Sequence, residues 1–198
     1  MDTLNIIFGI ITIISFGLTI YYGRKSSKLE KSRKKLDWTD LQSCANDLGN
    51  RMKKDNFTPD VIFTPGLKGA TFVNLLVNEI NNQVPVFVGI SYWKESFNDE
   101  ELIDEHELIE TNKWYVSIPK LMLKQKNKKV LIVDDFVMSG DFTSKLVQLL
   151  IENGFKEKNI KTMSVVTTKV AIGNHKEPTY HWLDIPDSNF YFPWGKAK

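Results

Sequence analysis

The stretch VLIVDDFVMSGDF, residues 130–142, joins an apolar run, an acidic pair and a glycine turn. Its first four residues are apolar and predict a strand that is buried on both faces of a parallel sheet. Asp134 and Asp135 follow where we expect that strand to end, and the turn at Gly140 leads into a predicted helix over 143–151. Ligands of α/β sheets bind outside the carboxyl ends of strands, and helix N-termini attract anions. The stretch therefore predicts an α/β fold with a phosphate site.

The length and the charge of the chain limit its possible domain organisation and binding partners. The chain has 198 residues, enough for one medium α/β domain with an appendage. Its formal net charge is +2, but residues 24–35 hold seven basic residues and one acid, so the remainder carries +2 minus +6, or −4. A basic tract on a mildly acidic body argues against a nucleic-acid-binding surface, and we expect no nucleic-acid partner. The single cysteine, Cys44, excludes an internal disulfide and indicates a reducing compartment.

Residues 4–22 form an uncharged apolar run near the N-terminus. As a helix they would span about 28 Å, close to the roughly 30 Å of a bilayer core. The basic residues follow the run, which predicts an N-terminus outside and a domain in the cytoplasm. A buried core helix is the alternative, and we disfavour it because no core for such a helix is apparent. We therefore expect a single-pass protein of the cell inner membrane, divided into a transmembrane anchor (1–23), a basic juxtamembrane linker (24–35) and an α/β domain (36–198).

A second strand, loop and helix lie in the front half of the domain. A predicted helix ends near Lys54 and is capped by Asp37 or Thr39. A short strand over 61–63 then leads into the loop TPGLKGA, residues 64–70, and another helix. Glycines allow backbone N–H groups to approach a ligand, and a lysine in the loop adds a positive charge. The loop therefore predicts an anion site, although an ordinary tight turn has the same pattern.

Three further strands are predicted, over 84–90, 114–118 and 160–168. Between the first two lies an acidic excursion, residues 95–110, which is interpreted either as a solvated face or as a metal site. An excursion of this length in a compact domain is usually functional or mobile.

These motifs resemble the type I phosphoribosyltransferases, in particular their purine (xanthine, guanine, hypoxanthine) branch. Residues 130–140 look like the signature that binds 5-phosphoribosyl 1-pyrophosphate (PRPP), and 63–70 look like the pyrophosphate loop. Ser91-Tyr92 is similar to the pair that opens the family's mobile catalytic loop, and 184–194 is similar to its base-binding hood. The resemblance covers roughly residues 36–194. It implies a Rossmann-like parallel sheet flanked by helices, with a C-terminal hood.

The resemblance also implies a reaction, in which a phosphoribosyl group passes from PRPP to a purine-like base and pyrophosphate leaves with Mg²⁺ as cofactor. The implied partners are PRPP and a nucleobase or nucleotide, and the family's frequent dimers imply a homodimer. Asp134 and Asp135 would be the catalytic carboxylates, holding the ribose hydroxyls directly or through the metal. The other implied site residues are Met138, Ser139, Gly140, Asp141, Phe142 and Thr143 for the 5′-phosphate, Leu67, Lys68 and Gly69 for pyrophosphate, and Lys169 with Phe190 or Trp182 for the base.

Three residues depart from the family pattern. Met138 stands where purine enzymes usually carry an aspartate, and a thioether cannot relay a proton. Asp141 puts an anion inside the phosphate turn, and Phe142 replaces a hydroxyl residue. These departures support an alternative, a catalytically impaired protein that binds PRPP or a nucleotide and acts as a sensor or as a membrane effector, for example in bacterial defence.

Overall fold

The computed structural model describes residues 12, 15–22, 34–80, 83–96, 106–111, 114–186 and 189–197. Two short 3-10 turns, Lys94–Ser96 and Glu157–Asn159, accompany the regular elements. In chain order these elements are β1 (Lys34–Lys35), α1 (Trp38–Lys54), β2 (Val61–Thr64), α2 (Leu67–Glu79), β3 (Val86–Val88), β4 (Ile90–Trp93), β5 (His106–Glu110), β6 (Trp114–Pro119), α3 (Lys120–Leu123), β7 (Val130–Val137), α4 (Asp141–Glu152), β8 (Ile160–Thr168), α5 (Lys169–Gly173), β9 (Tyr180–Ile185), β10 (Phe190–Phe192) and β11 (Gly195–Lys196).

The centre of the fold is a five-stranded parallel sheet with the order β3-β2-β7-β8-β9. Its central strand β7 is buried along almost its whole length. The apolar run at the start of β7 contributes to both cores, since Leu131 packs on one face and Ile132 on the other. This confirms the predicted α/β fold with a parallel sheet.

Strand β7 extends further than the sequence predicts. It continues to Val137, so the acidic pair lies inside the strand rather than at its end. Pairing with β8 holds this segment, with Asp134 beside Ser164. On the other side, pairing with β2 reaches only Ile132, and the first turn of α2 borders β7 beyond that point. A Cβ atom placed on Gly69 of α2 would lie 2.9 Å from the carbonyl oxygen of Val133.

The first face of the sheet is covered by α1 and α2, as their apolar spacing predicts. Asp37 caps α1 in a capping box, because its side chain accepts from the backbone N–H of Asp40 and its own N–H donates to the Asp40 carboxylate, both at 2.9 Å. This settles the choice between Asp37 and Thr39. The buried side chains of both helices join the core on this face, which includes Leu41, Ala45, Leu48, Met52, Phe72 and Leu76.

Helix α4 and a second, antiparallel sheet cover the opposite face. The second sheet has the order β4-β6-β5, and Ile118 of β6 and Leu146 of α4 share its core. The prediction of an acidic excursion over 95–110 is wrong for its last part, because β5 pairs with β6 along its length. Residues 97–105 lie outside the described part of the chain.

A small third sheet carries the C-terminal tail, with the order β1-β10-β11. Strand β1 pairs parallel with β10, and the Leu36 N–H donates to the carbonyl of Tyr191 at 2.9 Å. Because β1 is Lys34–Lys35, two residues that the sequence analysis assigned to the linker are part of the folded domain. The remaining linker residues, 24–33, lie outside the described part of the chain.

The predicted membrane anchor is described only at residue 12 and at 15–22. In the described parts of the chain, no helix combines the length and apolarity needed to cross a membrane. This finding contradicts the predicted inner-membrane localisation, and the described residues give no support to the predicted membrane partner.

Candidate active site

The centre of the site is the carboxylate of Asp135, which is only 5% exposed. Its Oδ2 accepts a hydrogen bond of 2.9 Å from the indole N–H of Trp194, in the C-terminal tail. The Trp194 ring stacks on Phe192 with a centroid distance of 5.0 Å and lies 5.7 Å from the ring of Trp38. Burial raises the pKa of Asp135, while the indole N–H and the nearby ammonium of Lys68 oppose that shift.

Asp134 adds a second carboxylate next to the first. Its Oδ1 accepts from the backbone N–H of Asp135 at 3.0 Å. Burial, and then the charge of Asp135, raise the pKa of Asp134 well above its ordinary value. Asp135 is buried and Asp134 is half-buried beside it, so ionising both carboxylates costs free energy, and the pair favours protonation, a cation or hydroxyl donors. The pair is thus prepared for a ligand that brings positive charge or hydroxyl groups.

The first turn of α2 brings a positive charge to this pair. Lys68 donates from Nζ to the carbonyl oxygen of Lys196 at 3.0 Å, and its charge lowers the pKa of both aspartates. The sequence predicts a loop at Leu67, Lys68 and Gly69, but α2 already begins at Leu67. Leu67 points outward and is 81% exposed, whereas Gly69 is buried against Thr64 and β7. The predicted pyrophosphate residues are therefore the N-terminal turn of a helix.

The turn that follows β7 is short and tightly held. Gly140 has a φ of +76°, a left-handed conformation that suits glycine. The hydroxyl of Thr168 donates to the carbonyl of Met138 and so ties the turn to the end of β8. The hydroxyl of Ser139 donates to the carboxylate of Asp141 at 2.8 Å. The turn after β7 and the first turn of helix α2 thus both border the acidic pair, as expected for a phosphate site.

Comparison with known proteins identifies this arrangement. The sequence profile of the phosphoribosyl transferase domain matches residues 39–197. The chain belongs to the phosphoribosyltransferase family. This confirms the family resemblance and the enzyme class drawn from the sequence. Among curated proteins, none has significant sequence similarity to the chain.

Solved structures of purine enzymes share the fold of this phosphoribosyltransferase. The purine phosphoribosyltransferase from Pyrococcus horikoshii aligns with a TM-score of 0.60 and 19% identity, over 83% of this chain and 95% of that chain. The xanthine-guanine-hypoxanthine phosphoribosyltransferase from Helicobacter pylori aligns with a TM-score of 0.58 and 16% identity, over 82% and 93%. The adenine enzyme from Giardia lamblia, complexed with 9-deazaadenine, gives 0.55 and 12%, over 74% and 80%. At these identities the likeness shows the fold, and the site must be argued from its own residues.

Not all six residues predicted to contact the 5′-phosphate lie in the turn of this phosphoribosyltransferase. Met138, Ser139 and Gly140 form the turn, and the Met138 side chain is exposed. Asp141 is already the first residue of α4. Phe142 and Thr143 also belong to α4. Phe142 packs against the core between α4 and the central sheet, and Thr143 is buried.

The predicted base contacts are spread over three elements. Lys169 is exposed at the start of α5, immediately after β8. Trp182, in β9, is half-buried against the core that α1 and α2 cover. Phe190 is only 1% exposed and packs edge-to-face on Phe192 at 5.2 Å, so its ring presents no open face to a base. Trp182 and Phe190 thus belong to the same apolar core, whereas the Lys169 side chain is exposed to solvent.

Two residues of the site were missed by the sequence analysis. By resemblance Trp194 belongs to the base-binding hood, yet its indole N–H donates to the carboxylate of Asp135. Lys176 follows α5 without any periodic pattern, and its Nζ lies 2.6 Å from Oδ1 of Asp141. Trp194 could have been found by asking which tail residue needs a hydrogen-bond partner, because an indole N–H usually has one when buried. We know of no local signal that identifies Lys176.

Proposed function

We propose that this phosphoribosyltransferase transfers the phosphoribosyl group from PRPP to a purine-like base and releases pyrophosphate. The observation that carries the proposal is the Asp134–Asp135 pair, which lies within the family signature and is bordered by a helix N-terminal turn with a lysine. The purine preference is supported by the purine substrates named for the structural neighbours.

The two ends of PRPP would bind at the two helix N-termini next to the acidic pair. The 5′-phosphate would take the turn at Ser139 and Gly140 with the first backbone N–H groups of α4. The pyrophosphate would take the first turn of α2, where Lys68 supplies an ammonium group. Asp134 and Asp135 would accept from the ribose hydroxyls between them. This arrangement places anions on positive helix ends and hydroxyl donors on carboxylates.

The donor set also fits a magnesium ion. Mg²⁺ prefers oxygen ligands and commonly combines one or two carboxylates with substrate phosphates and water. Within the described residues no group of three or more His, Cys, Asp or Glu is positioned to hold a metal. Asp134 and Asp135 would therefore hold the ion jointly with oxygens of PRPP and its pyrophosphate. When bound, the ion would neutralise charge on the leaving pyrophosphate.

Transfer would form a bond from a base nitrogen to C1 of the ribose while the bond from C1 to the pyrophosphate oxygen breaks. The bonding electrons would leave with pyrophosphate, and the transition state would carry positive charge on the ribose ring. The carboxylates of Asp134 and Asp135 would stabilise that charge, and Lys68 would stabilise the leaving group. Because the thioether of Met138 accepts no proton, the proton of the base nitrogen would pass to water.

The base contacts and the homodimer remain predictions. Lys169 lies beyond the carboxyl end of β8 and would reach an exocyclic oxygen of the base. Trp182 of β9 would stack on the base, or Phe190 would do so after the tail moves. The family match favours the enzyme over the sensor alternative, although Met138, Asp141 and Phe142 depart from the pattern.

The test is a turnover assay with the full chain. The protein is incubated with PRPP, Mg²⁺ and a panel of purine bases, and pyrophosphate release is measured for each base. We expect release with at least one purine and a strong loss in Asp135→Asn. The proposal falls if no base gives pyrophosphate while the protein binds PRPP.

A further inference from the structure

A loop that joins α5 to β9 lies directly against the predicted phosphate turn. Its residue Lys176 donates its backbone N–H to the carbonyl of Ala171 at 3.0 Å, so the end of α5 fixes its position. A Cβ atom placed on Gly140 would lie 2.3 Å from the carbonyl oxygen of Lys176. The loop and the turn therefore touch backbone to backbone, and only glycine fits between them.

The side chain of Lys176 meets the anion inside the turn. Its Nζ lies 2.6 Å from Oδ1 of Asp141, while the Ser139 hydroxyl donates to Oδ2 of the same carboxylate at 2.8 Å. These two bonds, Lys176 first, lower the pKa of Asp141, which is therefore ionised at neutral pH. The carboxylate of Asp141, at the start of α4, thus accepts hydrogen bonds from both the Lys176 ammonium group and the Ser139 hydroxyl.

We propose that Lys176 binds the 5′-phosphate of the substrate, and that the Asp141 carboxylate holds its ammonium group and the Ser139 hydroxyl beside the turn until the phosphate arrives. The inference rests on the proposed function, because it names a further ligand for one end of PRPP. It also gives Asp141 a role that is compatible with a phosphate site.

Replacement of the Asp141 carboxylate by the substrate phosphate is physically reasonable, because the Lys176–Asp141 ion pair is accessible to solvent. The side chains of Lys176 and Asp141 are 41% and 48% exposed, and ion pairs at such positions contribute little to stability. A phosphate carries more negative charge than a carboxylate and has three acceptor oxygens. It can therefore take over the ammonium and hydroxyl donors, while Asp141 turns toward solvent. Repulsion between Asp141 and the phosphate then lowers the affinity of the site.

The test measures binding of ribose 5-phosphate and of pyrophosphate separately, by calorimetry with the full chain. In Lys176→Met we expect ribose 5-phosphate to bind about tenfold more weakly, the loss of one charge-assisted hydrogen bond, and pyrophosphate to bind within about twofold of wild type. Lys176→Arg should restore most of the affinity. In Asp141→Asn we expect ribose 5-phosphate to bind several-fold more tightly.

Lys158→Met is the matched control, because Lys158 lies in the turn before β8, at the amino ends of the strands and away from the phosphate turn. It loses the same charge, and its affinity for ribose 5-phosphate should remain that of wild type. Thermal melts confirm that every variant is folded.

Three results would overturn the inference. If wild type binds ribose 5-phosphate and Lys176→Met binds it equally well, Lys176 is no ligand and the proposed function stands. If Lys176→Met loses affinity for ribose 5-phosphate and pyrophosphate alike, the lysine is structural. If wild type binds neither PRPP nor ribose 5-phosphate, the proposed function itself fails, and the inference fails with it.

Discussion

The indole N–H of Trp194 and Oδ2 of Asp135 are 2.9 Å apart, which ties the C-terminal tail to the carboxylate pair. Two residues further on, the carbonyl of Lys196 accepts from Nζ of Lys68 at 3.0 Å. The tail thus bonds to both an acid and a lysine that the proposed function assigns to substrate. Substrate must either displace these two bonds or share the groups with the tail.

The first prediction concerns the indole hydrogen bond. Trp194→Phe keeps an aromatic ring against Phe192 but removes the donor to Asp135. Because that bond favours the ionised carboxylate, its loss raises the pKa of Asp135 further, and PRPP binding should be lost at a higher pH as the solution is acidified. We also expect the variant to be about 1–3 kcal/mol less stable at neutral pH. Titrating PRPP binding against pH measures the shift.

Trp93→Phe serves as the control for this variant. Its indole N–H donates to Glu95 at 3.1 Å on the antiparallel sheet, so an equivalent bond is removed away from the carboxylate pair. The control should keep the wild-type pH profile. If the Trp194→Phe profile overlays that of wild type, the bond does not control Asp135.

The second prediction concerns the stability cost of Asp134. Burial and the charge of Asp135 raise its pKa in the folded protein, so the ionised form destabilises the fold at neutral pH. Asp134→Asn should therefore raise Tm at pH 7.5, by about 2–4 °C for each kcal/mol relieved, while PRPP binding falls. The gain in stability and the loss of function would arise from the same carboxylate.

The pH dependence has a definite sign. The folded protein binds a proton at Asp134 more tightly than the unfolded chain does, so wild-type stability rises as the pH falls through the raised pKa. The Tm difference between Asp134→Asn and wild type should shrink over that window and vanish below about pH 4, the unfolded value. Thermal melts from pH 4 to pH 8 test this. A difference that stays constant over the range contradicts the assigned cause.

The parts of the fold that the sequence predicts are those with local signals. The apolar run of β7 and the capping residue Asp37 are read directly from neighbouring residues, and both are confirmed. The pairing of β1 with β10 joins Lys34 to Phe190, and no local pattern encodes a contact between positions so distant in sequence. The early start of α2 was also missed, because the glycines of that segment disfavour a helix in isolation and tertiary packing overrides them.

The residues of the site also divide into those that a local sequence pattern reveals and those that only the fold brings together. Asp134 and Asp135 are recognisable because the acidic pair directly follows a run of four apolar residues. Trp194 and Lys176 reach the site from the tail and from the α5–β9 loop, and only the folded chain brings them to the ends of β7 and β8. Phe190 was a reasonable stacking candidate by sequence, yet its apolar ring is more stable in the core.

The third prediction concerns the close approach of α2 to β7. A Cβ atom on Gly69 would lie 2.2 Å from Oγ1 of Thr64 and 2.9 Å from the carbonyl of Val133, so Gly69→Ala must push the first turn of α2 away from the strand. Overpacking of this kind costs about 1–3 kcal/mol. The displaced turn would carry Lys68 away from the carboxylates, so pyrophosphate affinity should fall more than ribose 5-phosphate affinity.

Urea unfolding and calorimetry measure the two effects of Gly69→Ala, and Gly173→Ala is its control. Gly173 ends α5, and a Cβ atom there would have nothing within 4 Å, so an alanine should be neutral or slightly stabilising. The two variants add the same methyl group to helical glycines and differ only in the space around it. If Gly69→Ala matches wild type in both stability and pyrophosphate affinity, then α2 does not need its close contact with β7 to position Lys68.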